Sequence, residues 1–142
     1  MGLWDWLFKK TSKEKEVEEL EDSFAEHCLD LLWDRYEKEQ VVSPYAELMA
    51  YEAEINNGGH SQFFLNTENC GDVNKTVEAL LTVLPKKLNQ NLARAYKAYL
   101  ALNGAEEDDR TEALYEACDD FFYENEGLLI DVLKEYAVHT VV

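Results

Sequence analysis

Two prolines and six glycines are the only strong backbone breakers in a chain of 142 residues, and that scarcity constrains the fold more than any other feature. A fold of many short strands needs turn residues every 8–12 positions or so, whereas long helices need few. The apolar spacing agrees. Thr11 and Glu14 form a capping-box pair opening a long helix. Behind them Val17, Leu20, Phe24, Cys28, Leu31 and Tyr36 recur at helical intervals, which predicts one buried face. Val41-Val42 breaks that pattern, after which Ser43 is predicted as N-cap and Pro44 as first-turn residue of a second helix bearing Tyr45, Leu48, Met49 and Ile55. Asn56-Asn57-Gly58-Gly59 is expected to end this helix in a tight turn, because Asn and Gly accept the left-handed conformation of helix termini.

Residues 61–65 read as a short apolar helix or strand and 67–71 as a loop. Asp72 is a predicted N-cap for a helix over 73–84, and Pro85 opens another with a stripe of Leu88, Leu92, Tyr96, Tyr99 and Leu100, ended by Gly104. Two closing helices are expected. One spans 109–123 on Leu114, Cys118, Phe121 and Phe122; the other spans 126–136 on Leu129, Ile130, Leu133 and Tyr136. The expected fold class is all-α, an irregular bundle of six to seven helices in a single compact domain.

A hydrophobic fraction of 46% and 17 aromatic residues supply a packed interior and argue against disorder. Residues 13–142 are expected to form an acidic helical domain, with 1–12 an N-terminal amphipathic arm. That arm places Leu3, Trp4, Trp6, Leu7 and Phe8 beside Lys9 and Lys10. It is too short and broken for a signal peptide or a membrane span, and Trp6 stands where myristoylation wants Ser or Thr. Docking onto the domain is expected rather than membrane contact. Cys28, Cys70 and Cys118 are odd in number and form no CxxC pair, which signals neither a zinc ribbon nor a thioredoxin-like site. A reducing, cytoplasmic location fits them.

The charge is unevenly placed. The net charge is −17, from 30 acids and 13 bases. Residues 14–54 hold 14 acids and 3 bases, and residues 105–131 hold 11 acids and one base, whereas 55–104 hold 3 acids and 5 bases. Solubility alone does not require this segregation. Phosphate repulsion opposes direct nucleic-acid binding, so the expected partner is a basic protein. Carboxylates one helical turn apart are about 5.4 Å apart, while duplex DNA carries a charge per ~1.7 Å counting both strands. One acidic helix is too sparse to imitate DNA, but two or three side by side approach its density. The expected partner-binding face comprises Glu106, Glu107, Asp108, Asp109, Glu112, Glu116, Asp119, Asp120, Glu124 and Glu126. Charge just ahead of a helix also favours its N-terminal dipole, which gives the 106–109 run a purely structural reading too.

No catalytic, cofactor or metal site is signalled. Glu52 and Glu54 face different sides of a helix, so they do not converge with His60. There is no Glu-x-x-His pair and no EF-hand loop. Cys70 and His60 form a short-range Cys/His pair and lack an orienting group. Asn57-Gly58-Gly59-His60-Ser61 matches neither a dinucleotide fingerprint nor a P-loop.

The segment Glu54-Ile-Asn-Asn-Gly-Gly-His-Ser-Gln-Phe-Phe-Leu-Asn66 resembles the signature of the bacterial DNA-mimic protein family, in a C-terminal domain long catalogued as of unknown function. Residues 77–84, Asp119-Asp120-Phe121-Phe122-Tyr123 and 128–139 are similar to its later helices, so the resemblance spans roughly 31–138. His60 stands where the family usually has an aromatic such as Phe. The resemblance implies an all-α fold and a homodimer whose carboxylates imitate duplex DNA and occupy a transcription factor. On their own chemistry, Asn57, Gly58, Gly59, Gln62 and Phe63 read as a structural motif, with polar side chains bonding the turn and Phe63 and Phe64 filling the core. The leading functional expectation is an acidic protein-binding module, a DNA mimic for a basic transcription factor or nucleoid protein, with no enzymatic activity. The alternatives are an acidic immunity or antitoxin-like protein neutralising a basic toxin, and an enzyme of unrecognised type.

Overall fold

The computed structural model describes residues 11–141, and every regular element in that range is a helix. Five helices follow one another: α1 (Ser12–Glu37), α2 (Tyr45–Cys70), α3 (Val73–Val83), α4 (Lys86–Leu102) and α5 (Asp109–Thr140). The all-α expectation stands, but the count of six to seven does not. The difference has two causes. Gly59, at φ 77° and ψ −171°, kinks α2 without ending it, and helix resumes to Cys70 through the stretches expected as a separate 61–65 element and a loop. The two closing helices are one, because α5 runs through Asn125-Glu126-Gly127 unbroken. A helical glycine costs only about 1 kcal/mol relative to alanine, which the packing of Phe122, Leu129 and Leu133 on either side outweighs.

Local capping chemistry sets most helix starts. Thr11 and Glu14 make both bonds of the capping box, each at 3.2 Å. Asp72 accepts from the Lys75 N–H at 3.2 Å, and Asp108 from the Thr111 N–H at 2.8 Å. Ser43 does not cap α2. Pro44 precedes Tyr45, and no side chain supplies a capping bond there. Asn103 in the left-handed conformation and Gly104 at φ 84° end α4.

The long helix α5 is the spine, packing against α1, α2 and α4, while α3 bridges α2 and α4. Tyr51, Phe63 and Phe122 meet edge to face at the centre of the core, with ring centroids 5.0 and 5.5 Å from Tyr51. Phe64 stacks on Tyr99 at 4.7 Å, and Tyr45 stacks on Tyr136 at 3.7 Å. Of the apolar face expected for α1, only Cys28 is buried and Tyr36 half-buried, whereas Val17, Leu20, Phe24 and Leu31 are exposed. Leu32 docks that helix instead, together with a hydrogen bond from Arg35 to the Thr140 carbonyl at 3.1 Å and an ion pair of Lys134 with Glu26 at 3.9 Å. Leu100 is likewise exposed. Among the described residues, no helix is long and apolar enough to cross a membrane. Most of the expected N-terminal arm lies outside the described residues.

Candidate functional site

Two features stand out on α5 and its neighbours: a row of carboxylates facing outward, and a buried polar hinge directly behind it. The row follows from spacing. Asp109, Glu112, Glu116, Asp120 and Glu124 recur every three or four residues and are all exposed, so they line one face of the helix. None of them forms an ion pair among the described residues. Glu106 is exposed just ahead of α5. The acids of residues 14–22 on α1 are exposed as well, while α1 meets α5 further along, at Glu26–Lys134 and Arg35–Thr140.

The other four acids of the expected face are tied inward. Glu107 accepts from the Ser61 hydroxyl at 2.6 Å, and Asp108 is the N-cap of α5, with the Thr111 hydrogen bonds holding its carboxyl below the usual range. Glu126 accepts from the Asn56 side-chain amide at 2.8 Å. Asp119 is the keystone. Its Oδ1 accepts from the His60 backbone N–H at 2.7 Å and lies 2.6 Å from His60 Nδ1. In an unbroken helix that N–H would go to the Asn56 carbonyl; the kink at Gly59 frees it, and Asp119 caps the second half of α2 from another helix.

Glycine is required at 59 twice over. Its backbone conformation is one that other residues rarely adopt, and a Cβ there would sit 2.3 Å from Asp119 Oδ2. Gly58 makes room for the Gln62 side chain, which folds back across it. Gln62 and Asn66 both donate to Glu54 Oε2, at 3.2 and 2.8 Å, and Tyr123 donates to the Ile55 carbonyl at 2.7 Å. Phe63 is buried in the core and Asn57 is exposed. The Asn-Gly-Gly segment is therefore a sharp break at a left-handed Gly59, as its composition led one to expect, but the chain continues directly into a second helical stretch locked onto α5.

Behind the kink, His60 Nε2 lies 2.7 Å from the Tyr51 hydroxyl, completing an Asp119–His60–Tyr51 chain. Burial, and then the neighbouring Cys118 and Asp119, push the Tyr51 hydroxyl well above its ordinary range, so it keeps its proton and donates to Nε2. The ring then donates from Nδ1 to Asp119, a tautomer assigned from the network. The chain has the order of a catalytic relay, yet Tyr51 and His60 are both fully buried. A solute has no route to them, and a buried, fully bonded network of this kind fixes geometry. Cys70 is exposed, so the Cys70/His60 pair is not assembled. Burial pushes the Cys118 thiol up.

A second cluster involves Glu52. Asn56 donates to the Glu52 carboxyl at 2.9 Å as well as to Glu126. Burial, with the hydrogen bond and charge of Glu126, pushes the Glu52 carboxyl up to about 7. Among the described residues, no group of three or more His, Cys, Asp or Glu side chains is placed to hold a metal ion.

Sequence reasoning did not find Tyr51, Glu54, Asn66 or Tyr123 as members of the hinge. Only the Asn and Gln spacing around the double glycine hinted at the network. No curated protein and no solved structure matches the chain. The stretch from Pro44 to Thr140, which runs from the start of α2 to the end of α5, matches the DMP19-like protein family, and the chain belongs to that family.

Proposed function

We propose that this chain is an acidic decoy that presents carboxylates in place of duplex phosphates and occupies the DNA-binding surface of a basic protein, a transcription factor or nucleoid protein. The observation that carries the reading is the unpaired row Asp109, Glu112, Glu116, Asp120 and Glu124 along the exposed face of α5. Its four-residue steps rise about 6 Å, against ~3.4 Å per charge along one DNA strand. The row alone has roughly half the charge density of a strand by that comparison. The exposed acidic segment of α1 supplies further charge. Membership of a DNA-mimic family supports the same reading.

The test begins with a partner captured from a native lysate. Binding should weaken by about 10³-fold or more between roughly 50 and 200 mM salt if six or more charges are matched. Duplex DNA should compete. The variant Glu112→Lys/Glu116→Lys/Asp120→Lys/Glu124→Lys should lose binding while keeping its helical circular dichroism, because these side chains hold nothing inside the fold. Asp108 and Asp119 are left out, since reversing them would break a cap and the hinge. A partner that binds the quadruple variant as well as the wild type, without competition from DNA, sinks the decoy reading.

A further inference from the structure

Among the described residues, nothing covers an apolar surface on the first half of α1. Every residue from 11 to 24 is exposed, and Val17, Leu20 and Phe24 are 47%, 71% and 48% exposed. With exposed His27 and Leu31 they continue at alternating steps of three and four residues, the seam of a two-stranded helix pairing. This seam is not the side by which α1 docks. Cys28 and Leu32 face α5, and at about 100° per residue the seam lies roughly a quarter turn away from them. The helix precedes the 44–140 stretch that matches the family.

We infer that the seam takes an amphipathic helix of a basic partner protein. Charge selects the occupant. Glu16, Glu21 and Asp30 occupy the positions beside the seam, and residues 14–34 hold nine acids against the single base Lys15. A second copy of α1 would set carboxylate against carboxylate, which opposes self-pairing, whereas Lys or Arg at the facing positions complements it. Charge imitation alone has no use for an exposed Leu20 and Phe24; an apolar seam between acidic flanks does. The inference rests on the partner being a basic protein, and it places a second contact on α1, apart from the carboxylate row of α5.

The probe is a synthetic helical peptide with Leu at its seam positions and Lys beside them, titrated into the full chain by fluorescence anisotropy. Two controls keep the same length: one with Glu replacing Lys, one with Ser replacing Leu. The Lys–Leu peptide should bind, the Glu peptide should not, and the Lys–Ser peptide should bind at least about tenfold more weakly. Leu20→Gln/Phe24→Gln, which leaves the charge unchanged and alters only exposed residues, should weaken the Lys–Leu peptide by about tenfold or more with its salt dependence retained. Glu16→Gln/Glu21→Gln should instead flatten the salt dependence. Equal binding of the Lys–Leu and Lys–Ser peptides, or no response to Leu20→Gln/Phe24→Gln, overturns the inference. So does sedimentation showing a dimer that this variant dissolves, which would give the seam to a second copy. The α5 quadruple variant keeps the seam, so peptide binding by that variant separates a failure of the α1 contact from a failure of the decoy reading.

Discussion

Replacing Gly59 with alanine should be among the most damaging single-methyl additions this fold can receive. The backbone at φ 77° and ψ −171° belongs almost exclusively to glycine, and forcing another residue into it costs about 2 kcal/mol. The added Cβ would lie 2.3 Å from Asp119 Oδ2 and 2.8 Å from its Cγ, so the carboxylate must withdraw. Withdrawal leaves the His60 N–H and ring without their acceptor in a buried site, about 1–3 kcal/mol more. The sum is about 4 kcal/mol, a large part of the 5–15 kcal/mol or so that holds a domain together. Urea denaturation followed by circular dichroism measures it directly. Asp119→Ala alone should cost about 1–3 kcal/mol by loss of the same bonds, but it also removes the obstruction. The double variant should therefore be more stable than additivity predicts by over about 1 kcal/mol. Gly127→Ala is the control of opposite sign. Nothing lies within 4 Å of a Cβ there, and the substitution should be neutral or stabilising by about 0.5–1 kcal/mol. A Gly59→Ala variant within about 0.5 kcal/mol of wild type, or strict additivity with Asp119→Ala, would refute the keystone assignment.

Two further outcomes follow from the polar clusters. The Glu52 carboxyl is raised from 4.5 to about 7 in the folded chain, so the stability it contributes is fully present below the unfolded value and lost as pH rises through the folded one. Glu52→Gln should gain about 1 kcal/mol on wild type at pH ~8 relative to pH ~5.5, after discounting for partial exposure; a stability difference that does not change with pH over that range contradicts the raised Glu52 carboxyl. His60→Phe, which installs the ring expected from the family pattern, should cost about 2 kcal/mol because Asp119 and the Tyr51 hydroxyl lose their partner. Adding Tyr51→Phe should recover part of that loss in thermal or urea unfolding, and failure to recover any would mean the hydroxyl had found another acceptor.

Much of the fold was legible where its cause is local. The caps at Thr11 and Asp72 follow from a side chain and an N–H three residues apart, and the helix stripes of α4 and α5 named Leu88, Leu92, Cys118, Phe122, Leu129 and Leu133 of their core while missing Asn91, Ala95, Thr111, Tyr115 and Ala137. The helix count failed where the cause is distant. Asn56 to Gly59 has the composition of a helix end, and what keeps α2 going is a carboxylate 59 positions further on. The α1 stripe failed for a different reason: helical spacing shows that a face is apolar and says nothing about whether another element covers it. For the candidate site, the acids were legible as a charge run, but their division into outward and inward members was not. Asp119 and Asp120 are adjacent and chemically alike, yet one holds His60 and the other faces water. Only the orientation of α5 against the kink separates them.

The kink in α2 also re-phases the helix. Before it the buried side chains are Leu48, Met49, Tyr51 and Ile55; after it they are His60, Phe63 and Phe64. Projected at about 100° per residue, the two sets are centred roughly 100° apart, close to one residue of register. A straight helix of this sequence would have to leave one set half turned toward solvent. The break at Gly59 absorbs that offset, so each half of α2 is indexed to its own neighbours and one helix does the work of two differently wound ones.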